Sequence, residues 1–60
     1  MEVFILKNWS TNEEIKIEAI NWTIEAYQHQ FFCVDEMENS IVQKSFSTRY
    51  WDLRDRYAKS

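Results

Sequence analysis

Ile20-Asn21-Trp22-Thr23-Ile24-Glu25-Ala26-Tyr27-Gln28-His29 is the stretch on which the fold turns. Just before it, Glu14-Ile15-Lys16-Ile17-Glu18-Ala19 alternates charged and apolar residues with period two, the mark of a strand with one buried face. At Ile20 the spacing changes. Ile20, Ile24 and Tyr27 recur at four- and three-residue intervals, and Asn21 or Thr23 stands where a helix N-cap is wanted. This spacing predicts a helix from about Asn21 to near His29.

Working outward, Val3-Phe4-Ile5-Leu6 reads as a first strand, Glu14 to Ala19 as a second and Phe31-Phe32-Cys33-Val34 as a third. Asp35 to Ser40 is a polar turn leading to a fourth strand, Ile41 to Phe46. Ser47 or Thr48 caps a last helix running to about Ala58, with Tyr50, Leu53 and Tyr57 on one face and Asp52–Arg56 and Asp55–Lys59 as i,i+4 ion pairs. The expectation is one small domain over residues 1–60, of α+β class. Its four-stranded antiparallel sheet would have the order 2-1-3-4 and carry two helices in a ββαββα sequence. A mostly α-helical hairpin with an N-terminal strand competes. Ser10 or Thr11 with Glu13 or Glu14 can form a capping box, and Val42, Phe46, Tyr50, Leu53 and Tyr57 keep one stripe. Against it stand the β-branched Ile15 and Ile17, which alternate with charges. A shift of 27 residues lays Phe4 on Phe31, Ile15 on Val42, Ala19 on Phe46 and Glu25 on Asp52, which suggests an internal repeat of the ββα unit.

A chain of this length buries only about 60% of the surface its unfolded form exposes, so its stability is small and needs support. Cys33 is the single cysteine, which excludes an intrachain disulfide and a multi-thiolate zinc site and leaves oligomerisation as the remaining support. With neither glycine nor proline in the sequence, turns must rest on Asn, Asp and Ser. Phosphate-cradling glycine loops and dinucleotide fingerprints are excluded, and no cofactor or metal is expected. Residues 1–20 show no basic segment followed by a long apolar run, and a lone cysteine suits a reducing compartment. A cytoplasmic protein is expected, in the host cytoplasm if phage-encoded, with no membrane contact. The sequons Asn8-Trp9-Ser10 and Asn21-Trp22-Thr23 are read as turn and cap chemistry.

If both helices pack on one sheet face, the other faces of the two central strands lie bare. Each large apolar side chain left there forgoes about 1.5 to 3 kcal/mol of burial. A homodimer through that sheet face, or docking on another protein, is therefore expected, unless the helices straddle the sheet or one long tryptophan folds over it.

Reactive groups are few. His29 and Cys33 share a face only if a helix runs through both, and no third orienting group accompanies them, so a catalytic dyad is not expected. His29 with Asp35 and Glu36 matches no metal-site spacing. Asp35, Glu36 and Glu38 form a wet acidic turn, where no carboxyl is desolvated enough for general acid work. Charge is unevenly spread: residues 1–40 hold two lysines against eight acids, and residues 41–60 five basic groups against two acids. The last helix mixes Arg49, Arg54, Arg56 and Lys59 with Tyr50, Trp51 and Tyr57, a set that suits phosphates and stacked bases, but the whole chain is acidic at −3.

The function expected from this pattern is non-enzymatic protein binding by a small inhibitor or adaptor. Phage and mobile-element factors that oppose host enzymes or defences, and antitoxins, have this format. Such a factor would occlude a larger protein such as a nuclease, polymerase or toxin. Trp9, Trp22, Trp51 and Tyr57 with Arg49, Arg54 and Arg56 are the candidate anchors. Glu13, Glu14, Glu18, Asp35, Glu36 and Glu38 could imitate nucleic-acid charge. The alternative is a small nucleic-acid-binding regulator that uses the C-terminal helix.

Overall fold

The computed structural model of the chain describes residues 1–35, 37 and 40–59, and these form six strands and no helix. The strands are β1 (Glu2–Asn8), β2 (Glu14–Ala19), β3 (Asn21–Glu25), β4 (Gln28–Asp35), β5 (Ser40–Ser47) and β6 (Trp51–Ala58). They build two three-stranded antiparallel sheets, ordered β2-β1-β6 and β3-β4-β5. The α+β class and the single four-stranded sheet are thereby overturned, as is the helical-hairpin alternative.

Each missing helix has a local cause. In β3 the sequence Asn-Trp-Thr-Ile-Glu alternates, and Trp22 and Ile24 lie on the same face as their β4 partners Phe31 and His29. Ala26 and Tyr27 then reverse the chain in two residues with φ of 51° and 61°, the positive-φ pair that a tight hairpin demands. Neither is Asn, Asp or Gly, so this turn carried no sequence signal. Tyr27, which helical spacing would bury, sits at its tip 86% exposed.

The second expected helix is instead a strand interrupted by a β-bulge. Between the pairs Ile5↔Asp55 and Leu6↔Leu53 the register shifts and Arg54 is left without a partner. Leu53 therefore lies three residues, not two, from the next residue on its face, Arg56. The extra residue also sets Leu53 and Tyr57, which helical spacing would place on one stripe, on opposite faces of β6. The i,i+4 ion pairs disappear with the helix. Arg56 pairs instead with Glu2, and Lys59 with Glu18 at 3.1 Å.

β1 and β4 are each the central strand of a sheet, but of different sheets, and their inner faces meet. Phe4, Leu6, Ile17, Ala19, Phe31 and Cys33 form the buried cluster, with Ile15, Trp22, Phe46, Trp51 and Leu53 packed around it. The Phe4 and Phe31 rings meet edge to face at 5.1 Å. The sheets thus cover one another, and the bare face that two helices would have left, which motivated a sheet-face homodimer, is not formed. The hairpins β1–β2 and β4–β5 keep the 27-residue shift, Leu6↔Ile15 mapping onto Cys33↔Val42, whereas Glu25 and Asp52 are not equivalent in register. Exchanging β1 with β4, β2 with β5 and β3 with β6 maps one sheet order onto the other. The repeated unit is βββ rather than ββα, and the third strand of each unit completes the sheet of the other.

The Ala26-Tyr27 turn gives a test of the hairpin. A left-handed conformation costs a non-glycine residue roughly 1–2 kcal/mol, so converting the pair to Asn-Gly (A26N/Y27G) should raise the urea-unfolding free energy by about that amount. In a helix the same change would lower it by about 1 kcal/mol.

Candidate functional site

The buried side chains at one end of the core use up the polar groups most suited to chemistry. His29, 5% exposed on the inner face of β4, accepts a hydrogen bond at Nδ1 from the Trp22 indole N–H at 3.3 Å. Its Nε2 lies 2.9 Å from the Trp51 carbonyl oxygen and donates to it. This arrangement needs the neutral Nε2–H tautomer. Both ring nitrogens are thereby engaged in tying β3 and β4 to the start of β6. Cys33 shares that inner face, but with Phe31 between them the two residues stand about 13 Å apart along the strand. Asp35 lies further still, at the far end of β4. Among the described residues no His, Cys, Asp and Glu side chains gather to hold a metal.

At another edge of the core, Arg56 lies across the mouth between the sheets. Its guanidinium carbon is 5.4 Å from the Phe4 ring centroid and 5.7 Å from that of Trp22. A forked hydrogen bond to the Glu2 carboxylate, whose Nη2 arm measures 3.0 Å, holds it there. The bond from Arg56 lowers the Glu2 carboxyl below its ordinary value and raises the arginine. Arg56 therefore closes the core and is already partnered.

The third cluster is external. Asn8 ends β1 and caps the following loop, its Oδ1 accepting from the backbone N–H groups of Ser10 at 2.9 Å and Thr11 at 3.1 Å. The loop closes through Asn8 N–H to the Glu13 carbonyl at 2.8 Å. Trp9 is thrown outward and is 61% exposed. Its backbone N–H donates to the Tyr50 carbonyl at 3.0 Å and its indole N–H to the Arg49 carbonyl. The Trp9 and Tyr50 rings stack at 6.1 Å and 27°, and the Arg49 guanidinium lies 5.6 Å from the Tyr50 centroid. Two loops separated by about forty residues of sequence thus present one Trp-Tyr-Arg platform.

Of the sequence candidates, Trp9 and Arg49 are brought together here, with Glu13 and Glu14 leaving the same loop. Trp22 and Trp51 are half-buried and serve the core. Arg54 is the bulge residue, and Tyr57 is an exposed neighbour of Val3 on the outer face of β1–β6. Asp35 accepts a hydrogen bond from the Met37 N–H at 3.0 Å, while Glu36 and Glu38 lie outside the described residues. Tyr50, named with the basic residues of the expected last helix, was not among the protein-binding anchors. Its pairing with Trp9 is a long-range contact with no local signal. Among the described residues no helix is long and apolar enough to cross a membrane.

No family model matches this sequence, and no curated protein or solved structure resembles it closely enough to count as similar.

The Glu2–Arg56 pair predicts a pH dependence. A carboxyl whose value is lowered on folding contributes stability at pH above its unfolded value, and loses it as the pH falls through the folded value. Stability should therefore decline on acidification from 4.5 downward, and Glu2→Gln should flatten that decline in urea titrations across this range. An unchanged slope in the variant would remove the pair from the account.

Proposed function

We propose that this chain is a non-enzymatic protein-binding module of the cytoplasm that acts as a small inhibitor or adaptor, docking on a larger protein through its Trp9–Tyr50–Arg49 platform. One observation carries this reading. A tryptophan 61% exposed is nonetheless fixed by hydrogen bonds from its indole and its backbone to the opposing loop. Trp, Tyr and Arg are the residues that most often anchor protein interfaces, and an anchor held in place before binding loses little entropy on docking. The buried His29, with both nitrogens occupied, favours contact over chemistry as the mode of action.

Two other readings find less support in the geometry. Nucleic-acid binding by a C-terminal basic helix loses its scaffold, since Arg49, Arg54 and Arg56 occupy a loop, a bulge and an ion pair. Charge mimicry needs a continuous acidic stripe. Glu13 and Glu14 lie at one end of β2, Glu18 at the other beside Lys59, and Asp35 at the end of β4 in the opposite sheet.

The test is comparative affinity capture from the native host with the wild-type chain, Trp9→Ala and Arg49→Ala as baits. A host protein retained by wild type and lost at least tenfold with Trp9→Ala, whose circular dichroism stays native, is the expected result. Equal retention by all three baits would reject the platform. Retention of labelled single-stranded oligonucleotides that falls with the same variants would replace the reading with nucleic-acid binding.

A further inference from the structure

The strands at the sheet margins differ sharply in how their free edges are protected. β6 carries Asp52, Arg54, Asp55 and Arg56 and is bent by its bulge, and β2 carries Glu14, Lys16 and Glu18. β3 is five residues long and begins at the Ile20 bend. Charges, bulges and shortness are the usual defences of an exposed edge. β5 has the least of them. It runs for eight residues, Ser-Ile-Val-Gln-Lys-Ser-Phe-Ser, in unbroken register with β4, with Lys44 as its single charge and Ser40 to Ser45 exposed.

The backbone of that edge can be assigned. In the two-residue Ala26-Tyr27 hairpin, Glu25 and Gln28 are the bonded pair, so the polar groups of even-numbered β4 residues point to β3, as the Ile20 N–H to Phe32 carbonyl bond of 2.9 Å requires. Odd-numbered β4 residues then point to β5, and Thr48 N–H indeed bonds the Tyr27 carbonyl at 2.9 Å. Through the register Phe31↔Lys44 and Cys33↔Val42, the even residues of β5 bond to β4. Ile41, Gln43 and Ser45 are left presenting N–H and C=O groups outward.

We propose that this edge binds a second copy of the chain, β5 against β5 antiparallel about a two-fold axis at Gln43, joining two three-stranded sheets into one of six strands. The register follows from charge and strand length together. Of the registers about the middle of the strand that keep inner faces together, Lys44 opposite Lys44 opposes like charges, Val42 opposite Val42 leaves Ser45 without a partner in β5, and Gln43 opposite Gln43 avoids both. That last choice sets Ile41 against the partner's Ser45 and Val42 against the partner's Lys44, and holds the lysines on a diagonal about 7–8 Å apart. Ile41, Gln43 and Ser45 of each copy then find partners, closing six backbone hydrogen bonds, while the fourth outward residue, Ser47, gives its carbonyl to the Tyr50 N–H. By strand spacing the partner's Lys44 lies about 12 Å from Asp35, Cα to Cα, a span that the two side chains cover. The aliphatic stem of that lysine also covers Val42, now 38% exposed. A single strand pair is a small interface, so the dissociation constant should be on the order of tens of micromolar.

The experiment is sedimentation equilibrium of the intact chain from about 5 μM to 1 mM, a range that spans a dimer of this strength, with Gln43→Lys, Ser45→Pro and Lys16→Gln compared under the same conditions. Wild type and Lys16→Gln should move from monomer to dimer across the range. Gln43→Lys, which places like charges on the axis, and Ser45→Pro, which removes an outward N–H without touching β4, should stay monomeric with native circular dichroism. In a Cys33→Ser background, Gln43→Cys should form an intermolecular disulfide on mild oxidation and Lys44→Cys should not. A wild type monomeric throughout, a dimer unmoved by Gln43→Lys, or preferential cross-linking at position 44 would overturn the proposal. Because Trp9 lies outside this edge, loss of dimerisation and loss of platform binding are separate outcomes.

Discussion

The contact between Phe4 and Phe31 is the constraint on which the remainder of the fold depends. Each ring stands at the middle of a central strand, and each three-stranded sheet has one apolar face and nothing else to cover it. Neither half of a sixty-residue chain can bury such a face alone. The chain answers by passing the third strand of each half into the other half's sheet. Folding one half without the other would then leave both sheets incomplete. Edge-to-face aromatic packing at the centre is supported on its flanks by Trp22 on Phe4 and by Phe46 between Phe31 and Trp51.

Because the central strands are consumed inside, the molecule's means of action lie at its ends and edges. The outer face of β2-β1-β6 balances its own charge: Lys7 stands between Glu14 and Asp52 in register, and Glu18 is bonded by Lys59. The outer face of β3-β4-β5 is nearly uncharged, with Phe32 and Val34 half-buried and Ile41 exposed. The corner that brings Tyr50 to Trp9 is the longer of two equivalent ones. Ile20 alone separates β2 from β3, whereas Thr48 to Tyr50 separate β5 from β6. The second half of the internal pattern has therefore a longer corner, and the platform is built on it.

Four strands were legible from the sequence for sound reasons. Glu14 to Ala19 alternates without a break, and the apolar runs at Val3 and Phe31 belong to the two central strands. What was illegible came from two local deviations that break strand alternation. Ala26-Tyr27 makes a left-handed turn from residues that seldom supply one, and Arg54 adds one residue to a strand. Both interrupt the period of two by which a strand is read. Of the candidate site, Trp9 could be read as exposed because it stands in a polar loop. Its union with Tyr50 and Arg49, and the sealing roles of Trp22, Arg56 and His29, depend on contacts between distant segments. No spacing rule encodes these.

The interleaved arrangement is tested most directly by nuclear Overhauser contacts in solution. Cross-strand backbone contacts between Glu2–Asn8 and Trp51–Ala58 are expected, together with ring-to-ring contacts between Phe4 and Phe31. Sequential amide-to-amide contacts running through residues 21–29 or 48–58, with no contact between the first and last strands, would contradict it.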